Sequence, residues 1–428
     1  LNRSIAAKLS LFLIAAALVS ASATAGIVGS GTPSSCTEAA LQAQLAAGGT
    51  ITFNCGAGQQ TIAMPNTMVV GQNDPKTIID GNDTITLDGA GNTSGMIIIF
   101  GSSTALPDFT LRHLTIANGN ITTGLNAGGA IQNFGKLTLD TVTLRNSTAG
   151  GSGAIFQEPC NGCLTPTLTA THCTFANNSH AAISVEGGIA NIADSTFTGN
   201  TSSIGGAMEI YSNSTFTVVV TIERCTFENN TGVFGGGAIA VELLNTGSSV
   251  VIANDTFTGN SATDPSSHGS ALYLNATPVT INNCTIAGNT APAGRGAIYF
   301  NTFTPVTAMN NTIIASNNGG NCSVEAGSIF TGGHNLQFGD STCPGITVAN
   351  PILAPLANNG GPTKTMALGA GSPAIDAGDS GVAPATDQRG NSRTDGNGDG
   401  TVIADIGAYE APRVGNATAP GRHRAVGK

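Results

Sequence analysis

Four glutamates and three of the four tyrosines of this chain fall at two fixed distances behind one recurring small-residue turn. The turn ends in an alanine, at Ala130, Ala154, Ala182, Ala207, Ala238, Ala271 and Ala297. Two residues after it stand Gln132, Phe156, Ser184, Glu209, Ala240, Tyr273 and Tyr299. Four residues after it stand Phe134, Glu158, Glu186, Tyr211, Glu242, Asn275 and Asn301. If each turn leads into a strand, both sets point to one side, away from the core and into solvent, because side chains alternate along a strand. Stacked strands lie about 4.8 Å apart, which puts Glu158 and Glu186 roughly that far apart and Glu186 and Glu242 roughly twice as far. Carboxyl pairs about 5 Å apart suit glycoside cleavage with retention, and pairs about 6.5–9.5 Å apart suit inversion. Glu158, Glu186 and Glu242 are therefore the candidate catalytic residues. Glu209, Tyr211, Tyr273, Asn275, Tyr299 and Asn301 form the candidate ligand-binding face, with tyrosine rings available to stack on sugars. The same residues equally suit binding without chemistry, or a strand face kept soluble by its glutamates. No arginine or lysine shares this register, which weakens a lyase reading, since a lyase needs a base and a cation to hold the uronate.

A second pattern lies near the C-terminus. Asp395, Asn397 and Asp399, followed by Gly400, give D-x-N-x-D-G, the first half of an EF-hand-like loop, with Thr401 able to offer its carbonyl. Oxygen ligands at alternate positions plus a glycine let a loop wrap a hard cation. The twelfth position is Ile406 instead of glutamate, with Asp405 one residue early. A structural Ca²⁺ held by Asp395, Asn397, Asp399, Thr401 and Asp405 is one expectation, and a polar glycine turn the other. Among the nine cysteines, Cys36 with Cys55 and Cys322 with Cys343 are the expected disulfides. Cys160 and Cys163, in CNGC, suit a local staple better than a redox pair. Cys173, Cys225 and Cys284 each precede a repeat Phe or Ile by two residues and read as buried thiols on the core wall. The six histidines share no metal spacing and no nucleophile motif, and read as solvated turn or strand residues.

What must position these groups is a repeat, clearest in CTFENNTGVFGGGAIAV at 225–241. An aromatic or Ile followed three residues later by Asn returns as Phe175/Asn178, Phe197/Asn200, Phe227/Asn230, Phe257/Asn260, Ile286/Asn289 and Ile314/Asn317. The turn alanines are 24, 28, 25, 31, 33 and 26 residues apart. Such a period means one supersecondary unit per repeat with loops of variable length. The segments are short, β-branched and bounded by Gly, Asn, Ser and Thr, and the regular leucines of leucine-rich repeats are missing. The chain therefore reads as an all-β solenoid of short parallel strands. Ile183/Val185, Ile239/Val241, Leu272/Leu274 and Ile298/Phe300 point inward. The repeat Phe fills the core, and the Asn occupies a corner where its amide bonds the next coil and tolerates left-handed backbone.

The remaining chain fits around this unit. Residues 1–25 carry Arg3, Lys8, a short apolar run over 9–19 and small residues at Ala21, Ala23 and Ala25, the pattern of a secretory signal peptide. Residues 26–60 read as an N-terminal cap. Ser35 with Glu38 makes a capping box, Ala39, Leu41, Leu45 and Ala46 give a short helix ending at Gly48 and Gly49, and a strand follows at 50–54. The β-helix is expected over 61–330. Charged residues are 9% of the chain, against roughly 25% in ordinary globular domains, so backbone ladders and stacked side chains must hold it. A net charge of −10 argues against nucleic acid or an anionic membrane surface as partner, and the mature chain has no transmembrane span.

Beyond residue 329 the repeat signals stop, and 350–379 reads NPILAPLANNGGPTKTMALGAGSPAIDAGD. With DQRG at 387–390, Arg393 and DIGAYE at 405–410, region 331–410 resembles the bacterial choice-of-anchor Q domain. The GGA-[ILV] and F-x-x-N motifs resemble the repeats of chlamydial polymorphic outer membrane proteins and related right-handed parallel β-helix proteins, and the Cys36 to Cys55 segment resembles their N-terminal caps. The resemblance implies a right-handed parallel β-helix with a short cap helix and an irregular Gly/Pro-rich C-terminal segment, on a secreted or cell-surface protein. The attachment device varies among such proteins. Residues 411–428, read as a flexible tail, show neither a hydrophobic anchor nor a sorting motif, so covalent anchoring is not expected. The functional expectation is a noncatalytic surface protein that engages an extracellular glycan or surface protein through its repetitive outer face. The alternative is a polysaccharide hydrolase or lyase.

Overall fold

The computed structural model describes residues 26–413 except 72–73, 122–126, 213–214, 243–244, 276–277, 302–306 and 329. The expected signal peptide over 1–25 and residues 414–428 of the expected tail lie outside the described residues. One coil shows the plan: Val218–Glu223 forms a first wall, Thr226–Glu228 a second, Thr231–Gly235 a short link, and Ile239–Glu242 a third wall. Each strand pairs in parallel with its equivalents one coil away. Val220 meets Ala190 and Val250, Phe227 meets Phe197 and Phe257, and Val241 meets Ile210 and Leu274. The third wall is a ten-stranded sheet from Met68–Val70 to Cys322–Val324. The expected β-solenoid is thus the fold.

Two corners explain the polar punctuation of the repeat. Between the first and second walls, His172, Asp194, Arg224, Asn254, Asn283, Asn311 and His334 hold φ between 50 and 57°. Three of the six histidines, His113, His172 and His334, sit at such corners with positive φ, the turn role expected of them. After the second wall the left-handed residues are Asn177, Gly199, Asn229, Gly259, Gly288 and Ser316. The expectation that the repeat Asn itself is left-handed is therefore corrected by one position. Freed from the turn, that Asn builds a buried ladder. The Nδ2 of Asn200 donates to Phe175 O and Asn230 Oδ1, and its own Oδ1 accepts from the backbone N and Nδ2 of Asn178. The same scheme continues through Asn230, Asn260, Asn289 and Asn317. Beside it Phe175, Phe197, Phe227 and Phe257 stack in the core at 4.7–4.8 Å between ring centroids.

Parallel pairing runs past both ends of the expected 61–330 span. Gly26–Val28 pairs with Gly49–Phe53, and Leu336–Phe338 pairs back onto Ile313–Ala315 and forward to Thr347–Val348. What ends near residue 330 is the glycine turn, while the second wall goes on. The cap helix α1 spans Glu38–Leu45 and buries Leu41 and Leu45. Its N-cap is Thr37, whose hydroxyl accepts from Ala40 N, and not the expected Ser35, which ends a 3₁₀ turn and donates to Thr32 O. Glu38 correspondingly turns outward and accepts from the N and Nδ2 of Asn66. Disulfides join Cys36 to Cys55, Cys160 to Cys163 and Cys322 to Cys343, and Cys173, Cys225 and Cys284 are buried thiols.

Residues 349–411 form a strap that lies back along the outside of the second wall. It covers Thr226, Thr256, Thr285, Ile313 and Leu336, five residues in successive coils that are all buried. Ile313, Leu336, Ala374 and Ile406 pack there as a second apolar cluster. The DQRG and DIGAYE signatures supply the strap's internal bonds. Asp387 accepts from the backbone N of Arg389 and Asn391 and from that of Glu410. Arg389 lies 3.7 Å over the Tyr409 ring, and Arg393 pairs with Glu410.

Candidate functional site

The third wall brings the predicted outer-face residues into the two expected rows. Strand pairing aligns Gln132, Phe156, Ser184, Glu209, Ala240, Tyr273 and Tyr299 coil by coil, ending at Ser323. Tyr211, Glu242 and Asn275 align in the second row. Glu158 and Glu186 lie just past the ends of Ile155–Gln157 and Ile183–Val185, where Glu158 N donates to Asn133 O and Glu186 N to Gln157 O. Asn301 and Glu325 continue the row through the same bond, to Leu274 O and Phe300 O.

The rows are not the open solvent face that alternation predicts. Phe156, Ser184 and Ala240 are fully buried, Tyr299 is 7% exposed and Glu186 8%. The cover comes from the glycine turns. Each turn lies against the third-wall strand of the following coil, so closely that a Cβ on Gly205 would sit 3.2 Å from Ala240 Cβ and one on Gly235 2.8 Å from the Tyr273 ring. Only a residue without a side chain permits that approach. The face is accordingly half-buried beneath the turns, with the second row at its open edge.

Within it the polar groups orient one another. Tyr211 Oη donates to Glu186 Oε2 at 3.5 Å, Ser184 Oγ to Glu209 Oε2 at 3.4 Å, Tyr299 Oη to Glu325 Oε2 at 3.4 Å, and Asn301 Nδ2 to Asn275 Oδ1 at 2.6 Å. Burial, with Glu242 and then Glu186 nearby, pushes Glu209 up to about 7 against the stabilising bond from Ser184. Glu158 is raised by burial and by Glu186, Glu242 by burial alone. Burial and the neighbouring glutamates, Glu186 foremost, push the Tyr211 phenol up as well. Glu209 is thereby held at a near-neutral titration point. It was expected to bind and not to react; burial first, with the carboxylates of the coils after and before it adding, gives it acid character.

One of the three tyrosines, Tyr299, is engaged within the protein. Tyr299 stacks on Tyr273 at 5.1 Å, lies tilted against His268 at 4.4 Å and is 7% exposed, which leaves little of its ring for a sugar. His268 and Arg295 were not expected here. They stand three residues before Ala271 and two before Ala297, on the turn and not the strand, and the folding of the turn over the face brings them in. Arg295 Nη1 lies 2.8 Å from His268 Nε2. His268 is therefore a half-buried turn residue packed against Tyr299.

The calcium candidates divide. Asp395, Asn397, Asp399 and Thr401 share one turn, in which Asp395 accepts from Gly398 N and Gly400 N, Asn397 from Asp399 N, and Asp399 from Thr401 N. Asp405 turns elsewhere, accepting from Asp376 N and Ala411 N, and burial first, then Glu410 and Asp376, push it up to about 7. Among the described residues no group of three or more His, Cys, Asp or Glu side chains is placed to hold a metal ion. Compared with family models and with curated proteins, the chain matches none.

Proposed function

We propose that this protein is a noncatalytic, exported β-solenoid that binds a glycan along the outer face of its third wall. The observation that carries the reading is the row of mutually oriented carboxyl, phenol and amide groups repeating at one-coil intervals from Glu158 to Glu325. Preorganised hydrogen-bonding groups on a rigid sheet lose little freedom on binding, and their regular spacing suits a polymer of repeating hydroxylated units. Export is supported by the signal-like pattern of residues 1–25, by three disulfides and by the resemblance to surface β-helix proteins. No helix among the described residues is long and apolar enough to cross a membrane.

A second reading has its own support. Glu209, held near 7 between Glu186 and Glu242, could serve as the acid of a glycoside hydrolase with a neighbouring carboxylate as base or nucleophile. Incubation with neutral and acidic polysaccharides separates the two. Retention on a glycan without reducing-sugar release is expected. Release by the wild type that Glu209→Gln or Glu186→Gln abolishes, with melting temperature unchanged, would establish the hydrolase instead.

A further inference from the structure

We infer that Arg295 seats a single carboxylate of the bound glycan, so that the ligand carries isolated acidic sugars among neutral ones. The inference rests on the glycan reading above. A guanidinium has five N–H donors in a fork that fits a carboxylate two bonds at a time. Arg112, Arg224, Arg389 and Arg393 all have such partners within the protein. Arg295 has none: among the described residues it pairs with no carboxylate, and it contacts the imidazole of His268.

The roles within that contact follow from proton counting. Arginine can only donate, so His268 Nε2 accepts and the ring proton resides on Nδ1. That Nδ1 is buried with no hydrogen-bond partner among the described residues. Burial and the Arg295 charge lower the titration point of the imidazole, with Glu325 opposing, and a ring that accepts from a guanidinium brings no negative charge to pair with it. The tilted contact of His268 with Tyr299, itself stacked on Tyr273, fixes the ring, and with it one edge of the guanidinium. Glu325 takes the Tyr299 hydroxyl and does not pair with Arg295. The cluster does not offer a lyase base: the His268 lone pair faces Arg295, and burial, with Glu325 next, pushes the Tyr299 phenol up to about 12.

The surroundings limit the ligand further. Among the described residues one arginine stands near the far end of a face that carries Glu186, Glu209 and Glu242 in three successive coils, the last of them two coils before it, with Glu325 one coil after. A polyuronate would lay its following carboxylates against those glutamates, whereas a chain with one acid among neutral sugars would place hydroxyls there.

The test uses the full chain and a panel of oligosaccharides, each with one uronate on a neutral backbone, paired with its carboxyl-reduced counterpart, and an oligogalacturonate. By titration calorimetry the wild type should bind at least one acidic member about tenfold more tightly than its reduced partner, the worth of one charge-assisted fork. Arg295→Gln should bind both members as the wild type binds the reduced one. Equal wild-type affinity for acidic and reduced members overturns the Arg295 assignment and leaves glycan binding standing. Absence of binding to every member, reduced or not, overturns both. Tighter binding of the oligogalacturonate overturns the isolated-acid claim. If Arg295→Gln does not fold, the wild-type comparison alone decides.

Discussion

The position just after the first corner holds Cys173, Ser195, Cys225, Asp255, Cys284, Thr312 and Asn335 in successive coils. Its polar members cap the preceding coil: Ser195 accepts from Cys173 N at 3.0 Å, Asp255 from Cys225 N at 2.6 Å, and Asn335 from Thr312 N at 2.9 Å. Asp255 does this with a carboxyl that is wholly enclosed and whose Oδ2 has no partner among the described residues. Burial pushes its titration point well above the usual 3.8, with the charge of Glu223 adding to the effect and Arg224 opposing. A raised folded value means that the stability linked to this group is complete below the unfolded value and is lost as pH rises through the folded one. Asp255→Asn keeps the acceptor and removes the charge. It should raise the melting temperature at about pH 8 by a few degrees and change it little at about pH 4, a difference scanning calorimetry resolves. A fall at both pH values would show that the carboxyl is ionised and stabilising where it stands. The same sign applies to Glu209, whose contribution declines between its ordinary 4.5 and about 7.

Among the elements, the asparagine ladder and the phenylalanine stack run side by side, and removing a rung of each should differ in kind. Asn230→Ala leaves Phe197 O and the backbone N of Asn200 buried without their bonds. At about 1–3 kcal/mol for each unsatisfied group, the cost should be about 3 kcal/mol or more in urea unfolding. An effect under about 1 kcal/mol would mean that the amides are replaceable by water. Much of this was legible beforehand. The Phe and Asn period gave the coils, and the turn alanines gave the pairing of Glu209 with Ala240 and of Tyr211 with Glu242. The left-handed residue was missed because Asn, Gly and Ser alternate at it, from Asn177 and Gly199 to Ser316, and so look like ordinary loop filling beside an invariant-looking Asn. The cover over this face was missed because it is a relation between one coil's glycines and another coil's strand, which no single repeat displays. Arg295 and His268 were overlooked for the same reason.

Across the whole molecule, the strap gives a stack of nearest-neighbour contacts a second, longer connection. Gln388 is its central pin. Its side-chain amide donates among Cys225 O, Thr226 Oγ1, Thr363 Oγ1 and Lys364 O, and its Oε1 accepts from Thr256 Oγ1 at 2.6 Å. Gln388→Ala should destabilise the protein by about 2–4 kcal/mol, by the loss of buried bonds on both sides, and should speed amide exchange in the coils of Thr226 and Thr256 together. Faster exchange confined to the strap would show that it rides on the solenoid without holding it. The signatures that supply the strap's internal bonds were readable in the sequence. Their docking was not, because Gln388 and Thr226 are 162 residues apart. The strap also settles how the molecule meets force. Tension entering at Ala411 reaches bonds distributed over five coils, from Thr226 to Leu336, and loads them in shear all at once. An unstrapped stack pulled from its last strand would instead unzip one coil at a time, so this end of the solenoid is fastened like a lap joint and not like a row of stitches.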